Sequence, residues 1–211
     1  MGKHAFLGLT LALFAAGCAS TPAVDLKEPR RVVGTEESVR VDAQIFNDIL
    51  TPNTSIRVTY DITNDRSAPI AIADIIPETA YDPDTQTVTV TIGSEVPGAQ
   101  LLPRLVMIGP GEKKNFTIVA RVSILMGTAV TPLTRFPNAL RVKLNFLNNT
   151  EGFQQLIAIP ERAVYDPKLA DELFPKWLEK NETVYTNTVP MRWMGAVPEE
   201  ERVPLRRPRR G

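Results

Sequence analysis

VRVDAQI, residues 39–45, and SIRVTYDI, residues 55–62, alternate apolar and polar side chains along their length. Val39, Val41, Ala43 and Ile45 recur at a period of two, and Ile56, Val58, Tyr60 and Ile62 repeat the pattern. Successive side chains of a strand point to opposite faces, so this spacing predicts strands with one face in a core and the other in water. Arg40, Asp42 and Gln44, with Arg57, Thr59 and Asp61, take the wet positions.

The pattern continues outward from this pair. Asn64-Asp65-Arg66-Ser67 reads as a turn, and a strand is expected from Pro69 to Ile75. Val88, Val90 and Ile92 mark another, bounded by Gly93 and Pro97-Gly98. Leu101 to Ile108 and Asn115 to Val122 flank Gly109-Pro110-Gly111-Glu112, which predicts a hairpin. Leu140, Val142, Leu144 and Phe146 point inward in a further strand. About seven short strands separated by turn clusters predict a mainly β, antiparallel two-sheet sandwich. Over residues 37 to 148 this layout, with its Pro-Gly-Glu turn before the penultimate strand, resembles immunoglobulin-like and fibronectin type III-like domains.

The C-terminal part reads differently. Asp166-Pro167 is a helix start, with Asp as N-cap and Pro at the first helical position. Leu169, Leu173, Phe174, Trp177 and Leu178 fall on one helical face, and Pro175 is expected to kink or divide the run. Val184 to Val189 suggests a short strand. The organisation expected is therefore a segment 1–17, a tether 18–36, a β-sandwich 37–160, a helical and extended C-terminal extension 161–197, and a basic disordered tail 198–211.

The N-terminus carries its own instruction. Lys3 precedes an apolar run from Ala5 to Ala16, closed by Ala15-Ala16-Gly17-Cys18. The run is shorter than the roughly 20 apolar residues a spanning helix needs. It reads as a secretory signal, and its ending resembles the lipobox of bacterial lipoproteins. The resemblance implies cleavage between Gly17 and Cys18 and a diacylglyceryl thioether on Cys18. Acyl chains bury about 0.8 kcal/mol per methylene, so two or three would hold the protein on a membrane. Ala19, followed by Ser20, stands at the second mature position, where inner-membrane lipoproteins often carry Asp, and the resemblance therefore implies the outer membrane, facing the periplasm.

Cleavage there removes His4, the only histidine, and lipidation consumes the only cysteine. Ser-His-Asp and Cys-His catalysis, histidine or cysteine zinc sites, CxxC redox pairs and histidine haem ligation then have no residues to build them. The sequence offers no catalytic constellation, no metal site and no cofactor motif. The chain holds 24 Lys and Arg against 24 Asp and Glu. Arg202, Arg206, Arg207, Arg209 and Arg210 crowd into the tail, leaving the body acidic, which argues against nucleic acid as a partner.

Several local patterns are weighed against ordinary roles. Asp82, Asp84 and Gln86 alternate like calcium ligands, but the glycine and late glutamate of such loops are missing and a turn accounts for them. Gly109 to Lys114 lacks the spacing of a phosphate loop. Glu161, Asp166, Asp171 and Glu172 are candidate glycosidase carboxylates, and Ser123 with Lys143 a candidate nucleophile pair. Ile124-Leu125-Met126 break the period-two pattern, and Met191, Trp193 and Met194 form another apolar cluster outside the expected sandwich. The ordinary role of both is to pack the C-terminal segment against the sandwich, and a patch left exposed would be a partner contact. Met and Trp are favoured at adaptable contact surfaces. Met191, Trp193, Met194 and the tail arginines Arg206, Arg207, Arg209 and Arg210 are thus the candidate partner contacts. The expected function is a non-catalytic, membrane-anchored envelope module that binds other envelope proteins. A carboxylate-dependent glycan hydrolase and a small-ligand carrier are the alternatives.

Overall fold

The protein is described by a computed structural model over residues 30–74, 76–95, 101–124 and 134–195. In chain order the elements are β1 (Arg30–Glu36), β2 (Val39–Ile45), β3 (Ile49–Leu50), β4 (Asn53–Asn64), β5 (Ile70–Ala73), β6 (Glu78–Asp82) and β7 (Thr87–Ile92). They continue with β8 (Leu101–Pro103), β9 (Leu105–Ile108), β10 (Lys113–Ser123), β11 (Ala139–Leu147), α1 (Gln154–Ile157) and β12 (Ala163–Tyr165). The chain then runs through α2 (Pro167–Lys180), β13 (Asn181–Tyr185), β14 (Val189–Pro190) and β15 (Arg192–Trp193).

The fold is mainly β, with several sheets, and is consistent with a β-sandwich. One sheet has the order β1-β2-β4-β10, all antiparallel. A larger sheet has the order β6-β7-β11-β5-β9, with β13 and β14 also pairing with β11. The alternating residues that defined the strands meet in one core. Val39, Val41, Ala43, Ile45, Ile56, Val58 and Ile62 of the first sheet lie there with Val88, Val90, Leu140, Val142, Leu144 and Phe146 of the second. Most of these side chains are fully enclosed, and burying each contributes about 1.5–3 kcal/mol.

A second cluster lies behind the larger sheet. β5 alternates Ile70 and Ile72 into the first core with Ala71 and Ala73 into the second, so all four of its residues are buried. α2 covers that back face with Ala170, Leu173 and Trp177, beside Phe153 and Leu156 of the α1 region. Phe153 meets Trp177 edge-on, with ring centroids 5.7 Å apart. Asp166 caps α2 as the sequence predicts, its Oδ1 accepting from the Leu169 amide at 2.9 Å.

Several expectations require correction. The larger sheet is mixed, because β7 and β11 run parallel, and β3 and β15 form a separate two-stranded parallel sheet. Parallel neighbours need a long crossover, and the chain between β7 and β11 supplies it with β8, β9 and β10. Residues 30–36, read as part of a tether, form β1, and Val32 and Gly34 are enclosed there. β13 and β14 pair directly with β11, so the segment read as an extension completes the larger sheet. The run Leu101 to Ile108 is divided at Arg104, whose amide donates to the Arg162 carbonyl while its own carbonyl accepts from Asp74. α2 is continuous through Pro175, held by Leu173 and Trp177 on either side of it in the second core. Only part of its predicted apolar face is covered, since Phe174 and Leu178 remain exposed.

Candidate functional site

A cleft of about 680 Å³ opens on the outer face of the larger sheet. Its floor follows from register. Glu78 of β6 lies opposite Thr91 of β7, and Thr91 lies opposite Lys143 of β11, so the three form one row on the same face. Gly93, Ser94 and Glu95 extend the floor beyond β7. The β8–β12 ribbon and the segment before β6 raise the far wall with Leu101, Pro103, Ala163, Arg162, Asp74 and Ile76. Gly93 permits this shape: its φ is +77°, and a Cβ there would lie 2.3 Å from the Asn145 carbonyl oxygen.

Most of the charge in the cleft is already neutralised. Asp74 accepts from Arg104 and from Arg162, the latter at 3.1 Å. Lys143, whose side chain is 14% exposed, pairs with Glu95 at 2.7 Å. Its ammonium also lies 5.8 Å from the Tyr185 ring centroid, and Arg141 stacks over the same ring at 4.7 Å. Glu78 has no ion pair among the described residues. The rim is apolar, with Ile76 73% and Leu101 56% exposed. Leu101 pairs across the ribbon with Tyr165, which is exposed as well. The arrangement offers fixed charges of both signs beside an apolar rim, which suits a partner that is part polar and part apolar.

A smaller slot of about 100 Å³ enters between the two sheets beside Arg162. Tyr60 and Phe116 stack there with centroids 5.3 Å apart. Burial pushes the Tyr60 phenol above its ordinary range, and Asp74 adds to the shift. The phenol is therefore a neutral group at physiological pH.

The residues singled out by sequence scatter across the molecule. Cys18 and Gly17 lie outside the described residues, as do Leu125, Met126 and the tail arginines Arg206, Arg207, Arg209 and Arg210. Met191 is buried in the first core, and Trp193 packs against it while stacking on Phe136 at 5.9 Å. Met194, 63% exposed, is the one member of that cluster presented to solvent. Asp82 organises the β6–β7 turn, accepting from the Asp84 amide and the Thr85 hydroxyl. Asp84 pairs with Arg135. Glu112 closes the β9–β10 hairpin by accepting from the Gly109 amide at 2.6 Å, which holds its carboxyl below the usual range. Asp166 is a helix cap, Glu172 pairs with Lys176 along α2, and Lys143 faces Glu95 rather than Ser123. Among the described residues no group of His, Cys, Asp and Glu is placed to hold a metal ion.

Sequence reading missed the cleft. Its floor consists of ordinary outward positions on β6, β7 and β11, and its walls come from residues far away along the chain. Ile76 and Leu101 were the only signal, and Leu101 sat inside a run assigned to a strand while Ile76 directly followed one. Compared with known protein families, curated proteins and solved structures, the chain matches none of them.

Proposed function

We propose that this chain is a non-catalytic, lipid-anchored cell-envelope protein held on the periplasmic side of the outer membrane. Its body would be an immunoglobulin-like sandwich serving as a binding or scaffold module in an envelope assembly. The anchor rests on the small-residue ending of the apolar run, Ala15-Ala16-Gly17-Cys18. The binding role rests on one structural observation: the lateral cleft presents an apolar rim of Ile76 and Leu101 above charges that are held in place by one another. Asp74 between two arginines and Glu95 on Lys143 supply fixed charges that the polar part of a partner can meet beside the apolar rim. The cleft volume also lies within the roughly 300–1,000 Å³ typical of small-ligand sites, which favours a ligand carrier as the second reading.

Two measurements test this function. Intact mass of the protein purified from its own envelope is expected to show an N-terminus at Cys18 carrying acyl chains; a free thiol there removes the anchor. Photo-crosslinkers placed at Ile76 and Leu101 in living cells are expected to give a discrete adduct that is lost with Lys143→Glu. Equal labelling from crosslinkers at Glu36 and Thr117, away from the cleft, would reject the cleft as the contact.

A further inference from the structure

The two ends of the described chain leave from the same pole. Arg30, the first residue of β1, lies opposite Ile45 at the end of β2, and its guanidinium reaches the Met191 sulfur at 3.7 Å. At the other terminus Arg192 and Trp193 pair with Ile49 and Leu50, and the Met194 amide donates to the Leu50 carbonyl at 2.8 Å. Arg30 and Met194, near the first and last described residues, therefore lie at one pole of the molecule. Cys18 precedes Arg30 by a stretch that spans at most about 40 Å when extended.

The outer face of the four-stranded sheet changes character toward this pole. Phe46 extends β2, its amide donating to the Arg57 carbonyl, and Arg57 lies opposite Val119. Phe46, Arg57 and Val119 thus form one cross-strand row, with Phe46 52% and Val119 55% exposed. Arg121, opposite Ser55, begins the next row toward the pole. Arg57 and Arg121 are exposed, and neither makes an ion pair among the described residues. Exposed Met194 belongs to the same end. Among the described residues the acids nearest this pole are engaged: Asp48 with Arg192, Asp84 with Arg135, and Asp82 in its own turn.

The opposite pole carries the reverse charge. Glu36 ends β1 and Glu37 begins the β1–β2 turn, and Asp65 joins them, its amide donating to the Ser38 carbonyl at 2.8 Å. All three are exposed and make no ion pair among the described residues. β2 separates the two ends by roughly 20 Å at about 3.3 Å per residue.

From these positions we infer that the Phe46–Arg57–Val119–Arg121 patch, with Met194, seats on an anionic lipid headgroup surface. The apolar side chains enter the interface, the two arginines meet phosphates, and the acidic turn is held away from the membrane. The orientation rests on the anchored reading above, because Arg30, the first described residue after Cys18, lies opposite Ile45 beside this patch. Charge complementarity selects the occupant: unpaired cations beside exposed apolar groups fit a phospholipid surface better than an acidic protein face lacking an apolar layer.

The test uses the chain from Ala19 onward, made without lipid, because every described element lies within residues 30–195. Sedimentation with phosphatidylcholine vesicles, with and without phosphatidylglycerol, is expected to show binding only to the anionic vesicles, weakening as salt rises. Arg57→Glu with Arg121→Glu is expected to weaken it at least about 25-fold, taking roughly fivefold per arginine near an anionic surface. Glu36→Lys with Glu37→Lys at the far pole leaves binding unchanged or stronger. A second series ends the chain at Gly195, so that the tail arginines cannot carry the signal. Unaltered thermal unfolding of each variant shows that the fold is kept. Equal binding to neutral vesicles, no binding, or equal loss from the two charge-reversal pairs overturns the proposal. A free thiol at Cys18 in the native protein would instead remove the anchor and leave the vesicle result standing.

Discussion

Asn64 is the most demanding polar residue in the first core, and changing one of its atoms tests the reading of that pole. It ends β4 fully buried. Its Nδ2 donates to the carbonyls of Ala68 at 2.9 Å, Ile108 at 3.0 Å and Gly109 at 3.1 Å, while its Oδ1 accepts from the Arg66 amide at 3.1 Å. Two N–H protons thus serve three carbonyls and tie the β4–β5 loop to the β9–β10 hairpin. Asn64→Asp keeps the volume, removes both protons and sets an acceptor against three acceptors. Each buried group left unsatisfied costs about 1–3 kcal/mol, so the substitution is expected to destabilise by about 3–4 kcal/mol at neutral pH. The introduced carboxyl recovers one donor when protonated, so its pKa in the folded protein is raised. That contribution is present below the unfolded carboxyl value of about 3.9 and is lost as pH rises through the raised folded value. Urea unfolding between about pH 4 and pH 8 measures both effects. A loss under about 0.5 kcal/mol, the size of a surface change, or a loss that does not vary with pH, would refute the reasoning.

Two further predictions concern sheet closure and acid stability. At Gly34 an added Cβ would lie 2.2 Å from the Tyr185 carbonyl oxygen, where β1 closes against β13, whereas at Gly111, with φ of +69°, nothing lies within 4 Å. Gly34→Ala is expected to cost about 3 kcal/mol through overpacking and Gly111→Ala about 1 kcal/mol through backbone strain alone, and the reverse order in thermal unfolding would be contrary to this packing. On the outer face of the four-stranded sheet, Arg31 holds the Asp42 carboxyl below its usual range, and Lys113 with Asn115 does the same for Asp61. Stability from both is present above the ordinary carboxylate pKa and declines as pH falls through the lowered values, so Asp42→Asn with Asp61→Asn should flatten the acid limb of a stability–pH curve; an unchanged limb would assign the acid sensitivity elsewhere.

The period-two runs of β2, β4, β7, β10 and β11 were legible because each strand carries its own burial pattern. Asp166 before Pro167 was legible for the same reason, a cap being a contact between neighbours. β1 was not, because Arg30, Arg31 and Glu36 make its composition that of a linker, and only the pairing of Val32 with Ala43 and of Gly34 with Val41 encloses it. The two-residue strands β3, β14 and β15 are too short for any period. Met191, Trp193 and Met194 read as one cluster, to pack on the sandwich or to meet a partner together, because sequence cannot tell which of three neighbours meets a core assembled from other strands.

By itself the sequence determined the mainly β character, the two faces of β2, β4, β7, β10 and β11, the start of α2 and the expectation of a lipid at Cys18. These depend on residues adjacent in the chain or on a short motif. Tertiary structure alone decided the parallel seating of β7 beside β11, the cleft floored by Glu78, Thr91 and Lys143, and the placing of Arg30 and Met194 at the pole that carries Phe46. Each joins residues tens of positions apart, and local pattern carries no record of which distant strand will lie alongside.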